Sequence, residues 1–265
     1  MTKRFGFRLA ALVALGATSQ FAQTNPAPEC GDLPTHADLK TALIAAQKLR
    51  NGGLGFHMWA TVVNRDGVVC AVAFSGATRG DQWPGSRVIS AQKASTANAF
   101  SLPTFALSTA NLHTATQNGG TLFGLQLSNP VDTHAAYGGT AAKFGEVDDP
   151  LVGLTIGGVN VFGGGLGLYR QGSRRIVGGL GVSGDTSCTD HIIAWRVRDA
   201  LGLDNVPAGV AGTGADNMIH DLVQNQSTGQ TSSPSGYGHP TCDATATGIA
   251  NSLPSTVSLG PNITQ

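Results

Sequence analysis

Histidines are the residues of this sequence with the widest choice of chemistry, and there are seven of them. None occurs in an H-x3-H or H-E-x-x-H arrangement, so the spacing does not favour a zinc enzyme. An iron that a cofactor already holds needs only one or two protein ligands and imposes no spacing. His191 is the best candidate for such a ligand because it lies at a loop-to-helix junction after Ser183 and Gly184. An ordinary hydrogen-bonding role is the alternative, and His57 and His113 are weaker candidates.

An anion site is the second candidate. Residues 81–87, DQWPGSR, place the aromatic Trp83, a helix start and Arg87 within one short segment. A helix N-terminus beside an arginine suits a carboxylate, whereas a capped helix with a solvated arginine is the alternative. Lys93 lies nearly two turns further along the same predicted helix, where it faces either the sheet edge or solvent.

Glycine runs are the third feature, at 157–158, 163–165, 178–179 and 184. They lack the Lys-Ser/Thr and the strand-to-helix crossover of a phosphate-binding loop. Glycine in a strand marks a bulge, or a place where another backbone or a flat ligand comes close. Gly164 and its neighbours therefore fit either a planar ligand or a subunit interface. Ser183 has Asp185 and His191 nearby but lacks the G-x-S-x-G elbow of a serine hydrolase.

The N-terminus predicts export. Lys3, Arg4 and Arg8 precede an apolar run of about nine residues from Leu9 to Ala17, which is the plan of a secretory signal peptide. Spanning a bilayer takes roughly 20 residues, so the run is too short for an anchor. We expect cleavage between about 17 and 23 and assign residues 1–22 to the signal peptide. The mature chain is then periplasmic or secreted, with no membrane span.

The four cysteines are far apart, without the close pairs typical of metal sites. In an oxidising compartment they predict two disulfides, with a catalytic thiol as the alternative. A helix over residues 35–50 advances about 24 Å, and a strand over 57–64 returns about 23 Å along it. Cys30 and Cys70 therefore lie near each other and are predicted to pair. By elimination, Cys188 is predicted to pair with Cys242.

The local patterns predict a sequence of elements. A helix begins at Thr35 with a capping-box arrangement, and two apolar runs joined by a turn ending in Asp-Gly predict a hairpin over 56–74. A second helix runs from Pro84 to about Phe100, and short helices are expected around 105–117. A second hairpin covers 159–169 and 175–183, and a third long helix begins near Thr186.

The order of these elements indicates an α+β fold, with an antiparallel sheet built from two hairpins and flanked by helices. The domain spans residues 23–205. Residues 206–265 are rich in Gly, Ser, Thr and Pro and are predicted to be a mostly irregular tail with one short helix near 215–224, tied down by the second disulfide.

Composition excludes some classes of protein. Charged residues make up 12% of the chain and the formal net charge is zero, which does not suit a coiled coil or a charge-rich disordered protein. Removing residues 1–22 leaves 13 basic against 16 acidic residues. No surface that tracks phosphates is indicated, so nucleic acid is not an expected partner.

Three segments resemble, in order, motifs of the GlcG–HbpS haem-binding family. WATVVNRDGVVCAVAF at 59–74 resembles its strand–turn–strand opening, and SRVISAQKA at 86–94 with ANAF at 97–100 resembles its helix motif. The third is its glycine-rich hairpin, at 163–169 and 176–184. Asp190 stands where the family has an acidic pair. The resemblance covers residues 35–202.

The chain departs from the family pattern at Gly167, where a proline is common, at the acidic pair, now Asp190-His191, and in the longer segment 119–158. The resemblance implies a haem-binding or haem-handling protein that forms a homo-oligomer, and the N-terminal segment adds the expectation of export. Taken with the residue arguments above, it predicts that a small planar or anionic ligand, haem, contacts Trp83, Arg87, Lys93, Gly164, Ser183, Asp190 and His191, with His191 as the iron ligand. A small-molecule enzyme of an oxidative catabolic pathway and a ligand-free structural oligomer are the alternatives.

Overall fold

The computed structural model describes Met1 and residues 30–173, 175–212, 215–229 and 231–257. The predicted signal peptide lies, apart from Met1, outside the described residues. No helix in the part of the chain that the structure describes is long and apolar enough to cross a membrane.

The described residues form four long helices and a four-stranded sheet, with a small two-stranded ribbon near the end. The helices are α1 (His36–Lys48), α2 (Ser86–Ala99), α3 (Ser187–Ala200) and α4 (Ala244–Thr256). The strands are β1 (Trp59–Asn64), β2 (Val69–Phe74), β3 (Gly165–Tyr169), β4 (Ile176–Ser183), β5 (Val223–Gln224) and β6 (Thr231–Ser232). Short helical segments occupy Thr109–Leu112, His113–Thr116, Leu125–Ser128, Thr133–Tyr137 and Ala141–Lys143.

The first elements form as local sequence signals predict. Thr35 caps α1: its hydroxyl accepts from the Asp38 backbone N–H, and the Asp38 carboxylate accepts from the Thr35 N–H. This reciprocal pair satisfies backbone donors that a helix start otherwise leaves without partners. The turn between β1 and β2 contains Gly67 at φ 80°, a backbone conformation that glycine adopts without steric cost.

The sheet has the strand order β2-β1-β4-β3, and every neighbouring pair is antiparallel. Helix α2 packs on one face, against β4, β1 and β3. Helices α1 and α3 pack on the opposite face, and α4 packs on α3. The predicted α+β class, with two hairpins in one antiparallel sheet and helices on it, is therefore confirmed.

Side-chain alternation divides the core between the two faces. Ala60 and Val62 of β1 belong to the cluster beneath α1 and α3, as do Leu180 and Val182 of β4. Trp59 and Val63 belong instead to the cluster on the α2 side. The register thus fixes which face of each strand helix α2 covers.

Strand β3 is shorter than predicted. The sequence suggested a strand from Val159, but β3 begins at Gly165. Gly157, Gly158 and Gly164 adopt φ values of 63°, 80° and 108°. These left-handed conformations turn the chain and cannot continue an extended strand.

The short helix predicted near 215–224 in the C-terminal segment is wrong. No helix forms over 215–224, where Ala215 and Met218 are instead buried against the core and Val223–Gln224 pairs with β6. The helix of this segment is α4, capped by Asp243. Its buried face consists of two small residues and one large one, Ala246, Ala250 and Leu253.

Two disulfides have the predicted pairing. Cys30 bonds to Cys70, and Cys188 bonds to Cys242. The second bond ties the segment before α4 to the first turn of α3. Closing loops of 40 and 54 residues contributes on the order of 3–4 kcal/mol each in the chain-entropy model.

Candidate functional site

Lys93 and Asp190 form a buried ion pair between α2 and α3. The Lys93 Nζ donates to Asp190 Oδ2 at 2.7 Å and to the Val182 carbonyl at 3.1 Å. Asp190 Oδ1 accepts the backbone N–H groups of Gly184 and Asp185 at 3.1 and 2.9 Å. Lys93 therefore faces neither solvent nor an open sheet edge. The pair joins α2, β4 and α3 at the end of the sheet.

Burial raises the pKa of the Asp190 carboxyl to about 6, against the opposing effect of the Lys93 ammonium. A carboxylate removed from water without full compensation takes up a proton more readily. Lys93 and Asp190, which lie in the motifs that resemble the family's, thus contact each other. They do so inside the fold, with 1% and 3% of their surfaces exposed.

The glycine-rich hairpin is covered by the protein's own chain. A Cβ on Gly165 would approach the Lys93 carbonyl at 2.7 Å, and one on Gly179 would lie 3.0 Å from the Asn98 nitrogen. A Cβ on Gly164 would meet Asp190 and Lys93 at 3.0 and 3.3 Å. The glycines of β3 and β4 admit the backbone of helix α2, so of the uses left open by the sequence it is a close backbone that these positions serve, and that backbone belongs to the same chain.

Ser183, Asp185 and His191 do not form a relay. The Ser183 hydroxyl lies 3.3 Å from the Ser86 hydroxyl. Asp185 accepts the backbone N–H of Leu54 at 2.9 Å. Each of these side chains has its own partner in another part of the fold, so their proximity along the sequence carries no catalytic arrangement.

His191 lies in the core with none of its surface exposed. Its Nε2 is 3.2 Å from Asn217 Oδ1 and 3.3 Å from the Met218 nitrogen, while Nδ1 has no hydrogen-bond partner among the described residues. Burial lowers the pKa of the imidazole to about 4, so the ring is neutral near pH 7. A ligand would reach His191 only if the segment carrying Asn217 and Met218 moved.

Trp83 lies on the surface beside an open depression, which we call the aromatic groove. Trp83 is 54% exposed and packs on Phe56 at 5.3 Å between ring centroids. Its backbone carbonyl accepts from Trp59 Nε1 at 3.1 Å. The groove has a volume of about 280 Å³ and mostly apolar walls. Its lining residues are Trp59, Arg79, Pro84, Gly85, Arg87, Val88, Tyr137 and Phe144.

The charge of Arg87 is neutralised within the protein. Its Nε donates to Asp149 Oδ2 at 2.8 Å, Nη2 donates to Asp149 Oδ1, and Nη1 donates to the Ala136 carbonyl at 3.2 Å. The guanidinium also lies 3.7 Å from the Phe144 ring centroid. Arg87 thus supports the groove wall. Arg79 is exposed and forms no ion pair with another described residue, so its cation is available to a ligand.

Sequence reasoning missed Tyr137 and Phe144, which come from the segment 119–158. Tyr137 is 65% exposed and ends a short helix that Asp132 caps. The capping aspartate and these two aromatic residues were visible in the sequence. Nothing local, however, indicated that they approach the start of α2.

Among solved structures, the PduOC–haem complex is 23% identical to the chain, with a TM-score of 0.44 over 64% of this chain and 96% of its own. The Klebsiella pneumoniae protein ORFY is 21% identical, with a TM-score of 0.42 over 71% and 97%. A double mutant of Streptomyces reticuli HbpS is 19% identical, with a TM-score of 0.38 over 74% and 99%. Comparison with curated proteins finds no significant match.

The model of one family matches residues 35–198, and its description is "Haem degrading protein HbpS-like". The match begins at the cap of α1 and ends within α3, so it includes the whole four-stranded sheet. It excludes the segment that carries β5, β6 and α4. Since the match covers more than half of the sequence, the chain belongs to the HbpS-like family of haem-degrading proteins.

Proposed function

We propose that this chain is an exported haem-binding protein and that haem docks in the aromatic groove. The observation that carries the proposal is the groove's composition: aromatic side chains, mostly apolar walls, and the exposed Arg79, which forms no ion pair with another described residue. Haem is a flat apolar ring with two carboxylates, which is the chemistry that such a surface recognises. Membership of a family described as haem-degrading supports the same ligand.

The groove would hold haem along one edge. Its volume of about 280 Å³ is just below the roughly 300–1,000 Å³ of pockets that enclose a drug-sized ligand. A porphyrin would therefore lie between the groove walls and solvent, or between two copies of the chain in the predicted homo-oligomer. Arg79 would pair with a propionate, because a guanidinium matches a carboxylate in geometry and charge.

Tyr137 supplies the groove's candidate iron ligand, since a tyrosine phenol is one of the side chains that hold haem iron in proteins. His191, the ligand proposed from the sequence, would require its pocket to open. When bound, haem would supply iron chemistry, while the residues of this chain orient the ring and shield one face. The Trp59 indole N–H already donates to the Trp83 carbonyl, and this hydrogen bond holds the groove wall in place.

Export is part of the proposal. The basic, apolar N-terminus and the two disulfides support an oxidising compartment outside the cytoplasm. We expect the protein recovered from a secreting host to begin between about residues 17 and 23. Mass spectrometry of the exported protein checks this, and an intact Met1 on the recovered chain would contradict it.

The test of haem binding is a titration of the purified protein with haemin, followed at the Soret band. We expect a saturable shift with a fixed stoichiometry. Tyr137→Phe should change the position of the band if the phenol ligates iron, whereas His191→Ala should change it if the buried histidine does. An absent or non-saturable shift at micromolar haemin would overturn the proposal.

A further inference from the structure

Two histidines of the C-terminal segment meet at the start of α3. The candidate ligand atoms of His220, His239 and Cys188 all lie within 4.8 Å of one another. Cys188 is bonded to Cys242, so its sulfur offers no thiolate. The donors that remain in this cluster are two imidazole nitrogens, both outside the residues that the family model matches.

Hydrogen bonds at the Nδ1 atoms fix the tautomers of both rings. His239 Nδ1 lies 2.8 Å from the Pro240 carbonyl, which can only accept, so Nδ1 carries the proton and Nε2 presents its lone pair, which accepts from the Ser187 hydroxyl. His220 Nδ1 lies 2.8 Å from Asn251 Oδ1, which sets the same tautomer. Metal-ligating histidines characteristically donate their second N–H to an oxygen in this way.

Two further polar side chains lie next to His239. The Ser187 Oγ is 2.8 Å from His239 Nε2, and it accepts the Gly163 N–H at 2.6 Å. The His113 ring lies 5.0 Å from that of His239, and its Nδ1 is buried without a hydrogen-bond partner among the described residues. His220 is only half-buried, so an ion could enter from solvent on that side.

We propose that His220 and His239 bind a divalent transition-metal ion of the class that prefers imidazole, Zn²⁺ or Cu²⁺, through their Nε2 atoms. The Ser187 hydroxyl would turn away from His239 Nε2 to admit the ion, and water completes the coordination. Neutral imidazole is among the usual ligands of both ions.

The Cys188–Cys242 disulfide positions the site. Cys242 follows His239 by three residues, and Cys188 follows Ser187 directly, so the bond holds the two sides of the cluster together. A metal here would add a second link between the C-terminal segment and α3. The inference is independent of haem, because the groove lies on the other face of the sheet, beside α2.

The experiment uses the full exported chain without a polyhistidine tag, stripped of metal, and titrated with ZnCl₂ in a calorimeter. We expect one ion per chain. His220→Gln should weaken the affinity by about 100-fold or more, and Asn251→Ala, which removes only the orienting oxygen, by about 10–100-fold. His134→Gln, at an exposed histidine elsewhere, is the matched control and should bind as the wild type does.

Cu²⁺ provides a readout that does not depend on affinity, since its electron paramagnetic resonance spectrum reports the coupled nitrogens. The wild type should show at least two imidazole nitrogens, and His220→Gln should show one fewer. His220 and Asn251 are partly or fully exposed, so their variants should fold, which circular dichroism checks. Absence of Zn²⁺ binding by the wild type, or equal binding by His220→Gln, would overturn the proposal.

Discussion

Replacing Lys93 with methionine tests the buried ion pair that joins α2 to α3. Methionine retains an unbranched apolar side chain but removes the ammonium. The Asp190 carboxylate would keep its two backbone donors and lose the ammonium that pairs with it. Removing one partner of a buried pair costs about 3–5 kcal/mol, because the other charge stays buried without compensation. We expect the free energy of unfolding at pH 8 to fall by this amount.

The loss should depend on pH. The pKa of Asp190 is raised to about 6 from an ordinary 3.8, so its contribution to stability is complete below about pH 3.8 and is lost as the pH rises through 6. Without Lys93 the pKa rises further. For each pH unit below the new pKa, protonation of the buried carboxylate then restores about 1.4 kcal/mol of the lost free energy of unfolding. The penalty should therefore be large at pH 8 and small at pH 5.

Urea denaturation followed by circular dichroism measures both values. Lys48→Met, at an exposed lysine of α1, is the control and should cost little at either pH. The double variant with Asp190→Asn should lose less than the two single variants together, because neither charge is then left alone. Equal penalties at pH 5 and pH 8, or strict additivity in the double variant, would refute the reasoning.

Three further predictions concern other parts of the fold. Replacing Cys188 and Cys242 with serine should lower stability by about 3–4 kcal/mol, with hydrogen exchange fastest in residues 215–257. Because burial lowers the pKa values of His191 and His239 to about 4 and about 3, below the ordinary 6.5, the stability that they contribute is present above pH 6.5 and lost as the pH falls. The free energies of unfolding from urea titrations at pH 7.5 and pH 4.5 should differ by about 2 kcal/mol or more. The difference should be smaller in His191→Gln and in His239→Gln. Asp149→Ala should cost about 3–5 kcal/mol and weaken haemin binding, because it leaves a buried guanidinium in the groove wall unpaired.

The sheet and the first disulfide could be predicted from the sequence because their signals are local. The turn at Gly67 and the runs on either side of it specify a hairpin whichever way the rest of the chain folds. The lengths of α1 and β1 place Cys30 near Cys70 by simple geometry. The capping box at Thr35 depends on residues only three positions apart.

The site could not be predicted in the same way, because it depends on contacts between distant segments. Nothing near Lys93 indicates that Asp190 will neutralise it 97 positions later. The groove needs Tyr137 to approach the start of α2, across a stretch with no clear periodicity. Helix α4 was missed for a related reason: its buried face relies on alanines, whose burial is decided by the surface that they meet.

The most direct test of the central claim compares the haemin dissociation constants of the wild type, Tyr137→Ala and Tyr237→Ala. Tyr137 lines the aromatic groove, whereas Tyr237 lies outside it in the C-terminal segment and is 36% exposed. Docking in the groove predicts that Tyr137→Ala binds about tenfold more weakly, equivalent to roughly 1.4 kcal/mol, and that Tyr237→Ala binds as the wild type does. Equal dissociation constants for all three proteins would contradict the assignment of haem to this groove.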